Sequence, residues 1–103
     1  MCEEMLKFRN ILDNNNIEWK DMSETWPAVA QLKEETINRT HFYINGIFVS
    51  VINGFCTHGG EDILTHKNLG LLEMMCKEID ADPIGYLTAE ECWSEIQPLL
   101  KSE

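Results

Sequence analysis

Ile37-Asn38-Arg39-Thr40-His41-Phe42-Tyr43-Ile44, then Asn45-Gly46, then Ile47-Phe48-Val49-Ser50-Val51-Ile52 is the stretch that decides the fold. Both flanks are rich in β-branched and aromatic side chains, which suit a pleated, half-buried surface. Asn-Gly between them is the preferred pair for a two-residue type I′ turn, because both turn positions need positive φ. Such a turn sets the register: Ile44 faces Ile47, Phe42 faces Val49 and Thr40 faces Val51, giving one apolar face. Side chains alternate along a strand, so the opposite face carries Tyr43 with Phe48, His41 with Ser50, and Arg39 with Ile52. The first face is the expected core. The second, half polar, is where a ligand or partner is expected.

On the N-terminal side, Met1, Met5, Phe8 and Leu12 recur at the spacing of one helical face, with Ile11 beside them and Glu3–Lys7 as an i,i+4 pair. Asp13-Asn14-Asn15-Asn16 stops that helix, since these side chains compete with its backbone. Ile17-Glu18-Trp19-Lys20 alternates like a short strand. A second helix is expected to begin around Trp26-Pro27, where proline suits a first helical position.

On the C-terminal side, the run from Asn53 to Asp62 holds three glycines within seven residues, Gly54, Gly59 and Gly60, and reads as a loop or a bulge at Gly54 that continues as a polar stretch to Asn68. Leu71 to Cys76 fits a helix or a strand equally by periodicity. Asp80-Ala81-Asp82-Pro83 turns the chain, and Thr88-Ala89-Glu90-Glu91 is a capping box. Ala89, Trp93, Ile96 and Leu100 then mark one face of a helix that Pro98 should kink or end near Gln97.

The chain has 103 residues, enough for one domain over 1–103, and a 44% hydrophobic composition that supports a core. No apolar run approaches the roughly 20 residues of a membrane helix. Met1-Cys2-Glu3-Glu4 puts acid where a secretory leader needs base, so no signal peptide is expected. Cys2, Cys56, Cys76 and Cys92 form no CxxC pair and read as reduced thiols of a cytosol. Net charge is −10, and residues 61–103 hold ten of the eighteen acids. That field repels nucleic acid, whose affinity comes from Lys and Arg displacing counterions, and it favours encounter with basic partners.

Candidates for chemistry are few. Cys56 and His58, with His41 across from Ser50 and with His66 and Cys76, could be drawn as a Cys–His nucleophile pair or a zinc site. The spacing matches no recognised zinc pattern, and a reactive thiol needs an electropositive setting that this chain lacks. His58-Gly59-Gly60 lacks the helix and Lys of a phosphate loop, and Glu61-Asp62 follow where an anion would sit. No metal or cofactor is therefore assigned, and catalysis is not expected. Binding is. The candidate contact residues are His41, Tyr43 and Phe48 on the second hairpin face, Phe55, His58, Glu61 and Asp62 in the loop after it, and Trp26 as an exposed anchor.

The succession Val49-Ser50-Val51-Ile52-Asn53-Gly54, Thr57-His58-Gly59-Gly60, Gly70-Leu71-Leu72-Glu73 and Gly85-Tyr86-Leu87-Thr88-Ala89-Glu90-Glu91 is similar to small accessory proteins of phages and prophages of gut and other Gram-positive bacteria. The likeness covers about half the chain, from Phe42 to about Trp93; His58 stands where Tyr is usual, and Glu61 to Asn68 is a longer insert. It implies that Gly70–Cys76 is a strand returning beside the hairpin. The expected fold is then α+β, an antiparallel meander of three to four strands with N- and C-terminal helices on one face. It also implies a phage origin and a bacterial host cytoplasm. The leading expectation is a counter-defence inhibitor that covers a host protein with a basic surface, such as a CRISPR effector or another defence nuclease. The alternatives are a homo-oligomer that sequesters a cyclic nucleotide near Tyr43, Phe55 and the His58 loop, and a small metal or Cys–His enzyme.

Overall fold

A computed structural model describes residues 2–26, 35–54 and 69–100. Along the chain run α1 (Glu3–Asn14), β1 (Trp19–Asp21), β2 (Glu24–Trp26), β3 (Glu35–Ile44), β4 (Ile47–Gly54), β5 (Leu72–Met75), β6 (Ile84–Leu87) and α2 (Ala89–Leu100). The strands make one antiparallel sheet in the order β1-β3-β4-β5-β6, with β2 also paired to β3. The architecture is α+β, with six strands among the described residues where three to four were expected.

The hairpin has the register its turn demands: Ile44 opposite Ile47, Phe42 opposite Val49 and Thr40 opposite Val51. Asn45 (φ 51°) and Gly46 (φ 81°) both take the left-handed region that a type I′ turn requires. Gly54 closes β4 at φ 148°, where a Cβ would lie 2.5 Å from the Thr36 carbonyl oxygen. Only glycine lets the two backbones approach this closely there.

Both helices lie on one face of the sheet. Met5, Phe8 and Leu12 of α1 and Ala89, Cys92, Ile96 and Leu99 of α2 are buried against Phe42, Ile44, Val49, Val51, Leu72 and Met74. Each large apolar side chain so covered contributes about 1.5–3 kcal/mol. α1 ends in a Schellman motif: Asn16 sits at φ 58°, the Ile17 N–H donates to the Leu12 carbonyl (2.9 Å) and the Asn16 N–H to the Asp13 carbonyl (3.1 Å). The capping box of α2 is formed, Thr88 N–H to Glu91 Oε1 at 2.9 Å and Glu91 N–H to Thr88 Oγ1 at 3.2 Å. A second helix joins in: Glu4 Oε1 accepts the Ala89 N–H at 2.7 Å, satisfying another open donor and tying α1 to α2.

Two strands are announced by no local pattern, and two expectations about α2 need correction. Glu24–Trp26 is a strand, because β3 runs two residues beyond Ile37 and Glu35–Ile37 pair with it; the helix expected from Trp26-Pro27 onward falls on residues 27–34, outside the described residues. Ile84–Leu87, just before α2, is a strand, paired through Leu87 to Leu72. Pro98 neither ends α2 nor stops it at Gln97; the helix runs to Leu100, and its last turn is held by Asn45 Nδ2 donating to the Leu99 carbonyl at 2.7 Å. Its buried stripe is Ala89, Cys92, Ile96 and Leu99, with Trp93 half-buried at the margin and Leu100 exposed.

Candidate functional site

Alternation on β3, β4 and β5 sends every second side chain away from the helices. This open face carries Arg39, His41 and Tyr43 from β3, Phe48, Ser50 and Ile52 from β4, and Glu73 and Met75 from β5. Tyr43 is 65% exposed, Met75 44% and Phe48 38%. The rings form a cluster: Phe48 lies 4.9 Å from His41, edge to face, and 5.3 Å from Tyr43. These are favourable aromatic geometries, and they hold Phe48 between two neighbours. Toward the far end of the same face, Ile37 and Gly54 are buried, so the open part is the half nearer the turn.

Beside the rings lies a hollow of about 340 Å³, lined by Arg39, His41, Phe48, Ser50, Ile52, Glu73 and Met75. Ser50 is 6% exposed and forms its floor. An open trough continues from the rings over the edge of the sheet, along Lys20 and Met22 to the chain at Asp13–Glu18. Burial, and then the Arg39 charge, push the His41 imidazole below its usual 6.5, so it is neutral at pH 7 and acts as an aromatic plate.

Among the described residues, charge is divided unevenly between the two sides of the sheet. On the open face Lys20 and Arg39 balance Glu24 and Glu73, and Arg39 pairs with Glu24 at 3.8 Å. The helix side is acidic. α2 holds Glu90, Glu91 and Glu95 without a Lys or Arg, and α1 begins Glu3-Glu4 with Lys7 beside them; the turn between β5 and β6 carries Glu78, Asp80 and Asp82 against Lys77. Arg9, the one Arg of α1, is turned inward: it donates to Thr40 Oγ1 (2.7 Å), Asp21 Oδ1 (3.1 Å) and the Arg39 carbonyl (3.2 Å) and lies 4.6 Å from the Trp19 ring.

Of the expected contact residues, the structure unites His41, Tyr43 and Phe48. It does not unite them with Trp26, whose backbone pairs with Glu35 at the other end of β3, about 26 Å of strand from Tyr43. Phe55, His58, Glu61 and Asp62 lie outside the described residues, as do Cys56 and His66 of the drawn zinc or nucleophile site. Cys76 and Cys92 are buried, and burial raises the Cys92 thiol far above its ordinary range, with Glu91, Glu95 and Glu4 adding to the shift. A thiol so placed stays protonated and unreactive. Among the described residues no three His, Cys, Asp or Glu side chains are grouped to hold a metal ion, and no helix is long and apolar enough to cross a membrane. Glu73 and Met75 complete the hollow beside Ser50, and only the pairing of β5 with β4 reveals those two. No protein-family model, curated protein or solved structure matches this chain.

Proposed function

We propose that this protein acts by binding and not by catalysis, as a counter-defence protein of a phage or mobile element that covers a basic surface on a bacterial host protein. The observation that carries this reading is the separation of charge. Among the described residues α2 carries Glu90, Glu91 and Glu95 without a Lys or Arg, whereas on the sheet face Lys20 and Arg39 stand with Glu24 and Glu73. Residues four apart on a helix, as Glu91 and Glu95 are, have Cβ atoms about 6 Å from each other. A groove built to take successive phosphates offers cations that such a row can engage, and long-range attraction speeds the encounter. The resemblance to phage accessory proteins points to a defence nuclease as the host protein.

The test is expression of the chain in bacteria carrying one defence nuclease at a time, scored by plating of a restricted phage. The expected result is restored plating against at least one nuclease. Binding of the two purified proteins should weaken steeply between about 50 and about 300 mM salt. The triple variant E78Q/E90Q/E95Q, which leaves the capping pair intact, should lose at least tenfold in affinity. A variant that inhibits and binds as the natural chain does would overturn the reading.

A further inference from the structure

We infer that the open sheet face is the contact surface for a second copy of this chain, with the exposed Tyr43 ring of each copy seated in the hollow over Ser50 of the other. The face offers both halves of such a contact: a projecting ring, 65% exposed, and next to it a hollow of about 340 Å³. A two-fold axis lying between the sheets, midway between Tyr43 and the hollow, brings each ring to the other copy's hollow, as isologous contacts require.

Charge selects this occupant. A chain of net charge −10 repels its own kind unless the acids are kept apart. Packing face to face sets the sheets about 10 Å apart and puts each helix layer behind its own sheet, so the acidic layers end about 30 Å from one another. That is several times the Debye length of about 8 Å at physiological salt. Within the open half Lys20 and Arg39 stand with Glu73, and Glu24 reaches Arg39 from the margin of the face at 3.8 Å, so no single sign of charge dominates the contact on either copy. A basic partner is drawn to the opposite side of the molecule, so the two contacts do not compete. The open half of the face, about six residue pairs long and four strand spacings wide, amounts to roughly 400 Å² per copy. Roughly 800 Å² in total is the footprint of a weak, concentration-dependent dimer.

Sedimentation equilibrium on the full chain, from about 5 to about 500 µM, tests this. The expected mass rises from 11.9 kDa toward twice that value, and added salt does not weaken the association. Tyr43→Lys and Met75→Lys, each at an exposed position, should leave the circular dichroism spectrum unchanged and weaken association at least tenfold. Glu90→Lys, on the helix side, should not. A chain monomeric throughout the range overturns the inference and leaves the face to a different partner. A dimer indifferent to both open-face variants, or lost in Glu90→Lys, overturns it by placing the interface elsewhere. Neither failure bears on the binding of a basic host protein, which is read by its own salt dependence.

Discussion

Asn45 serves two purposes that substitution separates. Its backbone holds φ 51° in the hairpin turn, and its side-chain amide donates to the Leu99 carbonyl across 54 positions of sequence. Asn45→Gly keeps the turn and loses the tether, so it should cost about 1 kcal/mol in denaturant unfolding. Asn45→Ala loses both, placing a Cβ in the left-handed region, and should cost about 2–3 kcal/mol. Equal losses for the two would mean that the turn carries no strain. Arg9 is the second decisive residue. Its side chain is 9% exposed, whereas Asp21 opposite is 53% exposed, so the ion pair itself is largely screened by solvent. The stabilisation comes instead from the bonds to Thr40 and to the Arg39 carbonyl and from the stacking on Trp19. Arg9→Met should therefore cost about 3 kcal/mol. A double-mutant cycle with Asp21→Asn should return a coupling below about 1 kcal/mol. A larger coupling would make the ion pair the dominant contact.

At the scale of elements, the hairpin was legible from sequence because one dipeptide fixes its turn, its register and hence both of its faces. From that parity alone His41, Tyr43 and Phe48 fall together on the side away from the helices. The short strands were not legible. Glu24-Thr25-Trp26 has no apolar alternation and becomes a strand only because β3 extends past Ile37 and offers an edge. Ile84-Gly85-Tyr86-Leu87 holds a glycine and a tyrosine at φ 59°, beside a register shift between Leu72 and Met74, which no local pattern announces. In α2 the small Ala89 and Cys92 pack inward and the bulky Trp93 stays at the rim, one position away from the stripe that hydrophobic size suggests. The same sheet makes a pH prediction. His41 is held below its ordinary 6.5 in the folded chain by burial and by Arg39. Above that pH both states are neutral there; as pH falls below it, the unfolded chain takes up a proton first, and stability drops until the folded value is passed. Unfolding free energy should thus decline on acidification below about pH 6.5, and His41→Gln should flatten that decline. An unchanged slope in the variant would show that another group titrates there.

For the whole molecule, the separation of charge sets behaviour that neither a residue nor an element determines. Sequence gave the sum, −10, but not its arrangement, since Glu24 and Glu73 reach the open face only through the registers of β2 and β5. With Glu90, Glu91 and Glu95 on one helix, and Glu3 and Glu4 at the start of its neighbour, like charges face one another across the helix layer. Those acids are mostly solvent-exposed, and interactions among exposed charges are screened by salt. Among the described residues, the pairs that salt would weaken include Lys7 with Glu4 at 3.5 Å, Arg9 with Asp21 at 3.1 Å and Arg39 with Glu24 at 3.8 Å, each partly exposed. Repulsion outweighs attraction in this balance, so raising salt from about 20 to about 500 mM should raise the thermal midpoint by several degrees. E78Q/E90Q/E95Q should start from a higher midpoint and gain less from salt. A midpoint that falls with salt would mean that these ion pairs outweigh the acidic layer, and it would remove the repulsion that sets one side of the molecule apart from the other.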